Sequence, residues 1–317
     1  MKEIILQKLS GGEYISGAEI ADSIGVSRNA VWKCIQSLKN DGYIIESVTS
    51  KGYRLSPDCD KISAEFISYK GKIIVLDEVD STNNYAKKIT AEGAESGTVV
   101  IAESQNTGKG RLGRTFVSPS GKGLYMSVIM RPDFDVEYAP LITSAVSVAV
   151  AEAVEELTEH SAGIKWVNDV YLNDKKICGI LTEASLGLEY NSLDYAVAGI
   201  GVNVRDYDFG ELNQRVSSIE RETGKIVNRN RLCEKILNRL DFWISRITER
   251  SHLEKYRERE ILTGNMISAN FGAEKIIGKA SGIDDNANLI VQTEKGIIHL
   301  SSGEASLVRK IQEGAHE

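Results

Sequence analysis

The residue types best suited to bind a charged ligand are concentrated in one glycine-rich segment. Residues 108–114 read GKGRLGR, which places three glycines and three cations within seven positions. Glycine lets backbone N–H groups approach a ligand closely, while lysine and arginine supply positive charge and forked hydrogen-bond donors. The segment therefore predicts a loop that binds an anion. A solvated, flexible hairpin is the alternative interpretation.

The same segment also fits the GxGxxG pattern of dinucleotide-binding folds, but its surroundings do not. That fingerprint needs a strand running directly into the first glycine and a helix that begins at the last. Here residues 104–107 (SQNT) precede the first glycine, and residues 118–121 (SPSG) and a further strand-like run follow. The GxxxxGK[ST] phosphate-loop pattern does not occur in the sequence. Both nucleotide-binding patterns are therefore excluded.

Further polar groups interrupt apolar runs in the middle of the chain. They are residues 81–83 (STN), Gln105, residues 165–169 (KWVND) and residues 199–203 (GIGVN). Each lies near the end of a predicted strand, where the ligand sites of α/β sheets collect. Taken singly, these groups also fit a helix N-cap, a surface lysine on an edge strand and a turn. Their combination with an anion-binding loop favours one shared ligand site.

The first 56 residues have the pattern of a winged helix-turn-helix. Apolar spacing predicts helices over Lys2–Leu9 and Gly17–Ile24, and the second opens at a capping box. A third helix is predicted from the cap residue Ser27 to about Asn40, followed by a two-stranded wing. These residues carry seven Lys and Arg against six Asp and Glu, so the remainder of the chain is the acidic part.

The third helix of this head has one polar and basic face. Residues predicted to face outward and to contact DNA are Ser27, Arg28, Asn29 and Lys33. Residues predicted to pack inward are Val31, Trp32, Ile35 and Leu38. Short polar and basic side chains at the start of such a helix are the ones that enter a major groove. A helical protein-interaction module of the same shape is the alternative.

Alternating strand-like and helix-like runs from Ile73 to Asn203 predict a mixed sheet. Strands are predicted over residues 73–76, 98–103, 124–130, 164–167, 170–172, 176–185 and 195–203. Helices are predicted over residues 81–91, 138–160 and 228–250. Four short strands are predicted near the C-terminus, over residues 273–283, 289–293, 297–300 and 305–309. Such a series favours a small β-barrel.

Composition narrows the classes of protein that the chain can represent. At 317 residues with 42% hydrophobic and 26% charged residues, it is long enough for two or three globular domains. No apolar run approaches membrane-spanning length, and the start does not read as a signal peptide. The four cysteines form no CxxC pair, which favours reduced thiols in the cytoplasm over disulfides or zinc. A net charge of −7 means that any contact with nucleic acid must be local.

Five motifs in succession resemble those of bifunctional biotin–protein ligases that also act as biotin-operon repressors. The motifs are residues 81–84 (STNN), 105–114 (QNTGKGRLGR), 165–169 (KWVND), 176–183 (KICGILTE) and 199–203 (GIGVN). The likeness covers almost the full length, and the helix-turn-helix head is typical of the repressor-type subclass. Several motifs in the correct order are more specific than any one of them.

The resemblance implies an α+β multidomain fold. The expected parts are a winged helix-turn-helix DNA-binding domain over residues 1–56 and a linker over residues 57–64. A mixed-sheet, class II synthetase-like catalytic domain is expected over residues 65–264. An SH3-like β-barrel is expected over residues 265–317.

The resemblance also implies residue roles. Catalysis would fall to Lys165 and Arg111. Biotin would be bound by Ser81, Thr82, Asn83, Gln105, Lys109, Gly110, Arg111 and Lys165. The adenylate would be bound by Gly108, Arg114, Phe116 and Asn203. Lys165 is expected to bridge the biotin carboxylate and the α-phosphate of ATP, because a cation there stabilises the charge that develops during attack.

The implied reaction consumes biotin and ATP, with Mg²⁺ expected to accompany ATP although the sequence identifies no metal site. It gives biotinyl-5′-adenylate, from which biotin passes to a lysine of a biotin carboxyl carrier protein. The expected partners are that acceptor, operator DNA and a second copy of the chain when the adenylate is bound. No membrane partner is expected.

Three positions depart from the family pattern. Val167 stands where proline is frequent, Phe116 where tryptophan is frequent, and Lys109 where arginine is frequent. A phenylalanine still stacks on adenine and a lysine still carries charge, although the forked geometry of arginine is lost. The alternatives are a related ligase acting on lipoate or octanoate, and a ligand-sensing repressor without ligase activity.

Overall fold

The computed structural model describes residues 1–56, 59–187, 193–271 and 274–308. A helical head, a central sheet flanked by helices, and a small antiparallel sheet follow one another along the chain. None of the helices in the described part of the chain combines the length and the apolar character that a membrane span requires.

The head contains three helices and a two-stranded wing. Its elements are α1 (Lys2–Leu9), α2 (Gly17–Ile24), α3 (Arg28–Asn40), β1 (Ile45–Val48) and β2 (Gly52–Leu55). The two strands pair antiparallel. The predicted winged helix-turn-helix is confirmed.

Local capping chemistry sets the helix starts in the head. The Ser16 hydroxyl accepts a hydrogen bond from the backbone N–H of Glu19 at 3.1 Å, and the Ser27 hydroxyl accepts one from that of Ala30 at 3.2 Å. Gly25 lies between α2 and α3 with φ of 68°, a left-handed conformation that glycine adopts without strain. The capping predictions for these two helices are confirmed.

The inward face of α3 differs from the prediction at one residue. Its buried stripe consists of Val31, Cys34, Ile35 and Leu38. Trp32 instead remains 50% exposed, so the prediction that it packs inward was wrong. Successive residues of an α-helix are rotated by about 100°, which turns Trp32 away from the stripe that Val31 begins.

The central unit is built on a seven-stranded sheet. Its elements are β3 (Ile73–Val79), α4 (Thr82–Ala91), β4 (Val99–Gln105), β5 (Gly123–Met130), α5 (Ala139–Thr158), β6 (Gly163–Lys165), β7 (Asp169–Leu172), β8 (Lys175–Leu186), β9 (Leu193–Asn203), α6 (Ile219–Thr223), α7 (Arg229–Ile244) and α8 (His252–Arg259). The strand order is β3-β4-β5-β9-β8-β7-β6, in which β3 and β4 are parallel and the other neighbours are antiparallel. The predicted mixed sheet is confirmed.

The sheet buries both faces because helices cover each side. Helix α5 packs on one face together with α7 and α8, and α4 packs on the opposite face. The side chains of β4 therefore alternate between two cores. Val99 and Ile101 belong to the larger core, and Val100 belongs to the smaller core on the side of α4. Helix α7 ends at Ile244, earlier than the predicted 250, and α6 and α8 were not predicted.

The C-terminal unit is a five-stranded antiparallel sheet. Its strands are β10 (Met266–Phe271), β11 (Glu274–Ile283), β12 (Leu289–Thr293), β13 (Gly296–Leu300) and β14 (Glu304–Leu307), in the order β13-β12-β11-β10-β14. Four of these strands were predicted and β10 was not. Its polar residues Ser268 and Asn270 mask a short alternation in which Ile267 and Ala269 are buried. Residues 273 and 309 of the predicted strands lie outside the described residues.

Residues 59–63, which follow the head, are held by side chains of the central unit. The backbone N–H of Ile62 donates to Glu103 Oε1 at 3.0 Å. The backbone N–H of Arg229, at the start of α7, donates to Asp60 Oδ1 at 2.7 Å. The described part of the linker is therefore fixed against the central sheet.

Arg229 is the centre of a buried ion network beneath this linker. Its guanidinium donates to Glu103 Oε2 at 2.8 Å and to Asp60 Oδ2 at 3.1 Å. Arg205 donates to the same Asp60 oxygen at 2.8 Å. Because the Arg229 side chain is only 4% exposed, these pairs are poorly screened by water.

His252 is expected to make the stability of the protein fall in mild acid. It is fully buried, its Nε2 lies 2.9 Å from Ser144 Oγ, and its Nδ1 finds no partner among the described residues. Burial and then the Arg257 charge lower its pKa from 6.5 to about 4. A lowered histidine pKa gives stability that is complete above the unfolded value and is lost as the pH falls from about 6.5 towards 4.

The His252 contribution amounts to about 2 kcal/mol between pH 7 and pH 5. Urea unfolding of the wild type and of His252→Gln at both pH values measures it. The variant should lose less stability than the wild type over this interval. An equal loss in both proteins would remove His252 as the cause.

Candidate functional site

The predicted ligand residues at the start of α4 and the end of β4 are joined by hydrogen bonds. Both the backbone N–H and the hydroxyl of Thr82 donate to Gln105 Oε1, at 2.9 and 3.1 Å. Gln105 Nε2 donates to Ser118 Oγ at 2.8 Å, which fixes the orientation of the amide. Ser81 occupies the N-cap position of α4, yet its hydroxyl makes no capping hydrogen bond. The first turn of α4 is thus tied to β4 through Gln105.

Ser127 on β5 connects this group to Asn83. Its hydroxyl lies 2.6 Å from Asn83 Oδ1 and 2.8 Å from Thr82 Oγ1. Asn83 Nδ2 donates to Glu183 Oε2 at 2.9 Å. Ser127 was not predicted, and within an apolar strand its only signal was a lone polar residue in a fully buried run. Thr82, Asn83, Gln105 and Ser127 thus form one hydrogen-bonded patch of hydroxyls and amides.

The glycines of the GIGVN motif provide space for two site residues. A Cβ at Gly199 would overlap the Asn83 side chain. A Cβ at Gly201 would lie 2.6 Å from the ring of Phe116. These two β9 glycines therefore let Asn83 and Phe116 lie directly against the sheet, which explains why small residues stand there.

The glycine-rich segment forms a hairpin with a short helical turn at its tip. The backbone N–H of Phe116 donates to the Gly108 carbonyl at 2.8 Å, and that of Gly110 donates to the Arg114 carbonyl at 2.7 Å. At the tip, Leu112 has φ of 55° and is 76% exposed. The segment therefore has the hairpin shape of the alternative interpretation, but its three cations have hydrogen-bond partners.

Three cations of the hairpin are directed to three different parts of the protein. Lys109 Nζ donates to Asn84 Oδ1 on α4 at 3.1 Å, and Arg111 Nη1 donates to Asn168 Oδ1 at 3.2 Å. Arg114 forms two hydrogen bonds with the carboxylate of Glu304 in the C-terminal unit. The hairpin thus spans the space between α4, the KWVND motif and β14.

Lys165 lies at the end of β6, opposite Asp169 of β7 in the antiparallel register. Its pKa is lowered because burial disfavours the ammonium, although the Asp169 and Glu304 carboxylates act in the opposite direction. A half-buried cation attracts an incoming anion more strongly than an exposed one does, since the surroundings screen it less than water does.

Lys176 is a second cation at this position, and no role was predicted for it from the sequence. Its Nζ lies 2.7 Å from Asp169 Oδ1. A Cβ built on Gly179 would lie 3.2 Å from Lys176 Nζ and 3.5 Å from the Phe116 ring, so these groups line one space. In the sequence, a role for Lys176 was indicated by its position at the start of the KICGILTE motif.

Asn203, at the end of β9, has one unused polar atom. Its Nδ2 donates to the Ser217 carbonyl at 3.1 Å, while its buried Oδ1 finds no hydrogen-bond partner among the described residues. A buried acceptor without a partner is costly, so this atom suits a ligand N–H group.

The predicted site residues therefore fall into two places. The amide and hydroxyl group, the hairpin, Lys165 and Asn203 surround one end of the central sheet. The predicted DNA contacts Ser27, Arg28, Asn29 and Lys33 are all exposed on α3 of the head. In the described part of the chain, no group of three His, Cys, Asp or Glu side chains is arranged to hold a metal ion.

Comparisons with known families match each of the three units. Residues 75–203 match the biotin/lipoate A/B protein ligase family, and residues 2–54 match a helix-turn-helix domain. Residues 264–308 match the C-terminal domain of biotin protein ligases.

Individual relatives cover nearly the whole chain. The bifunctional ligase/repressor BirA of Bacillus subtilis (strain 168) is 34% identical over 313 residues, which cover 94% of this chain and 95% of that protein. The protein of the same name from Escherichia coli (strain K12) is 29% identical over 310 residues, with 96% of each chain covered. Among solved structures, a biotin protein ligase from Aquifex aeolicus in complex with biotin and ATP aligns with a TM-score of 0.64 and 33% identity, covering 76% of this chain and all of that one.

Proposed function

The chain belongs to the family of bifunctional biotin protein ligases and repressors, and we propose from this membership how its units share the two activities. The central unit activates biotin with ATP to biotinyl-5′-adenylate and transfers biotin to a lysine of an acceptor protein. The head binds DNA and represses transcription. The observation that carries the ligase assignment is the fixed amide and hydroxyl patch beside a cationic hairpin and two lysines, which suits an uncharged urea at one end and an anion at the other.

The biotin end of the site is proposed to be the patch around Asn83. A urea presents one carbonyl acceptor and two N–H donors, so it needs both kinds of partner. Thr82, Asn83 and Gln105 supply hydroxyl and amide groups whose orientations are already set by hydrogen bonds among them and with Ser118 and Ser127, and Ser81 adds a further hydroxyl. This order lowers the entropic cost of binding.

The charged end is proposed to lie between Lys165, Lys176 and Arg111. The biotin carboxylate oxygen attacks the α-phosphorus of ATP, and the bond to the β-phosphate oxygen breaks as pyrophosphate leaves. Cations fixed before the reaction stabilise the charge that develops on the α-phosphate. The hairpin covers the product with Gly108, Lys109 and Gly110, and Arg114 holds the hairpin against the C-terminal unit. The adenosine part of the adenylate is contacted by Phe116 and Asn203.

Mg²⁺ is proposed to arrive with ATP rather than to reside in the protein. The carboxylates beside the charged end, Asp169 and Glu304, are already paired with Lys176 and Arg114. Their oxygens are therefore engaged with cations, and the phosphates of ATP are the better ligands for this ion.

The second half of the reaction is proposed to use a biotin carboxyl carrier protein. The neutral ε-amine of its lysine attacks the adenylate carbonyl carbon, AMP leaves, and the amine loses a proton as the amide forms. Without an acceptor, the adenylate stays bound and a homodimer places two heads on two operator half-sites. We place these events in the cytoplasm, where the four cysteines remain thiols.

The test of the ligase activity is incubation of the purified protein with biotin and ATP labelled at the α-phosphate. A labelled adenylate that depends on biotin, and that is discharged by an acceptor domain, is the expected result. Biotin binding without adenylate would leave only a sensing repressor. No biotin binding would mean that a different acid, such as lipoate or octanoate, is the substrate.

Replacing Arg28 by alanine should weaken operator binding without changing ligation. Arg28 is exposed at the start of α3 and has no part in the central site, and a good base contact contributes about 1 to 3 kcal/mol. Electrophoretic mobility shifts of the adenylate-bound protein, together with the adenylation assay, measure both effects. Unchanged DNA affinity would contradict the role of α3 as the recognition helix.

A further inference from the structure

One tryptophan of the protein is exposed, and it lies on α3 of the head. The chain contains three tryptophans, of which Trp166 and Trp243 are 3% and 9% exposed, while Trp32 is 50% exposed. The core of the head is formed without it, by the buried residues of α1, α2, α3 and β1. Trp32 is therefore outside the core of the head, and its ring lies on the exposed side of α3 that also carries Arg28, Asn29 and Lys33.

The surface around Trp32 fits a polyanion. Helix α3 carries Arg28, Lys33 and Lys39 and contains no Asp or Glu along its thirteen residues. Arg28 and Asn29 precede Trp32 by one helical turn, and all three are exposed together with Lys33. An apolar ring surrounded by cations and an amide matches the major groove, where phosphates border the edges of the bases.

The chemistry of the major groove indicates which group of a base pair the Trp32 ring contacts. The 5-methyl group of thymine is the apolar group that base pairs present in the major groove, and apolar side chains recognise it there. We propose that Trp32 is a specificity-determining residue of the head that reads a thymine through its 5-methyl group. The proposal rests on the proposed binding of operator DNA and adds a residue that was predicted from the sequence to pack in the core.

The experiment begins with a duplex selected from a random pool by the full-length, adenylate-bound protein. Each thymine of that duplex is then replaced in turn by deoxyuridine, which removes the methyl group and leaves the hydrogen-bonding pattern unchanged. We expect one or two such positions per half-site at which wild-type affinity falls about five- to tenfold. At those positions Trp32→Ala should bind the thymine and deoxyuridine duplexes equally.

Lys33→Ala is the matched control on the same exposed face. It should weaken binding to both duplexes alike, because it removes a charge and leaves the methyl contact in place. Equal thermal unfolding midpoints of wild type and Trp32→Ala would show that the head still folds. Trp32→Phe provides a second variant, because it keeps an aromatic ring and should retain most of the methyl dependence.

The outcomes separate this inference from the function on which it rests. If the wild type selects a duplex but Trp32→Ala retains the full preference for thymine, the role of Trp32 is overturned and operator binding stands. If the wild type selects no duplex, operator binding fails and the inference fails with it. Loss of the thymine preference in Trp32→Ala but not in Lys33→Ala would establish the contact.

Discussion

Replacing Lys165 by alanine should slow the formation of biotinyl-5′-adenylate by about a hundred- to a thousandfold. The ammonium is half-buried at the end of β6, where burial lowers its pKa and the Asp169 and Glu304 carboxylates act in the opposite direction. A fixed cation acts on the charge that appears at the α-phosphate during attack, so its loss should reduce kcat more than it raises KM for biotin. Single-turnover release of labelled pyrophosphate measures the rate of this step.

The matched control for this variant is Lys70→Ala. Lys70 is exposed and pairs with Asp241 at 3.0 Å, away from the residues of the site. Its variant should adenylate biotin at the wild-type rate. Lys176→Ala should also slow the reaction, because it removes a second cation from the charged end of the site and leaves Asp169, its partner at 2.7 Å, unpaired opposite Lys165. Normal adenylation by Lys165→Ala would refute the assignment of this lysine to the reacting carboxylate and phosphate.

Replacing Arg229 by alanine should lower the free energy of unfolding by about 3 to 5 kcal/mol, the cost of removing one partner from a buried ion pair. The variant leaves the buried Glu103 carboxylate and much of Asp60 without their main partner. Urea unfolding followed by circular dichroism measures the change. Arg231→Ala, on the exposed side of the same helix, should stay within about 0.5 kcal/mol of the wild type.

A second variant separates the charge effect from the lost packing of the arginine. Replacing Arg229 by Met and Glu103 by Gln removes the buried Arg229–Glu103 pair and keeps Asp60 as the partner of Arg205. It should recover part of the stability, because the buried Glu103 position then carries no uncompensated charge. A wild-type unfolding energy for Arg229→Ala alone would show that the network is not a source of stability.

The sequence by itself determined the parts of the fold that depend on neighbours within a few residues. The caps at Ser16 and Ser27, the three head helices and the central strands follow from capping chemistry and from periods of 3.6 and 2. The order of motifs from residue 81 to residue 203 was enough to predict a biotin ligase site. Each cap, element and single motif is contained in a short window of the sequence, and the same local elements are present in the tertiary structure.

Periodicity failed where its signal was weak. Trp32 is apolar and follows Val31 directly, so composition favoured a core position although the helical rotation turns it to solvent. Strand β10 was not predicted because Ser268 and Asn270 alternate with few apolar residues, and one of these, Ala269, is small. In both cases the deciding factor was which face the rest of the unit covers, and a local window does not contain that information.

Contacts between distant residues were decided only by the tertiary structure. Ser127 lies against Asn83, Arg229 against Glu103, and Arg114 against Glu304, pairs separated by 44, 126 and 190 positions in the chain. Each depends on the strand order of a sheet or on the packing of one unit against another. The sequence therefore determined which chemical groups are present and which local elements carry them. The tertiary structure decided which groups meet, because the free energy of burying the shared core selects one arrangement among many with the same local elements.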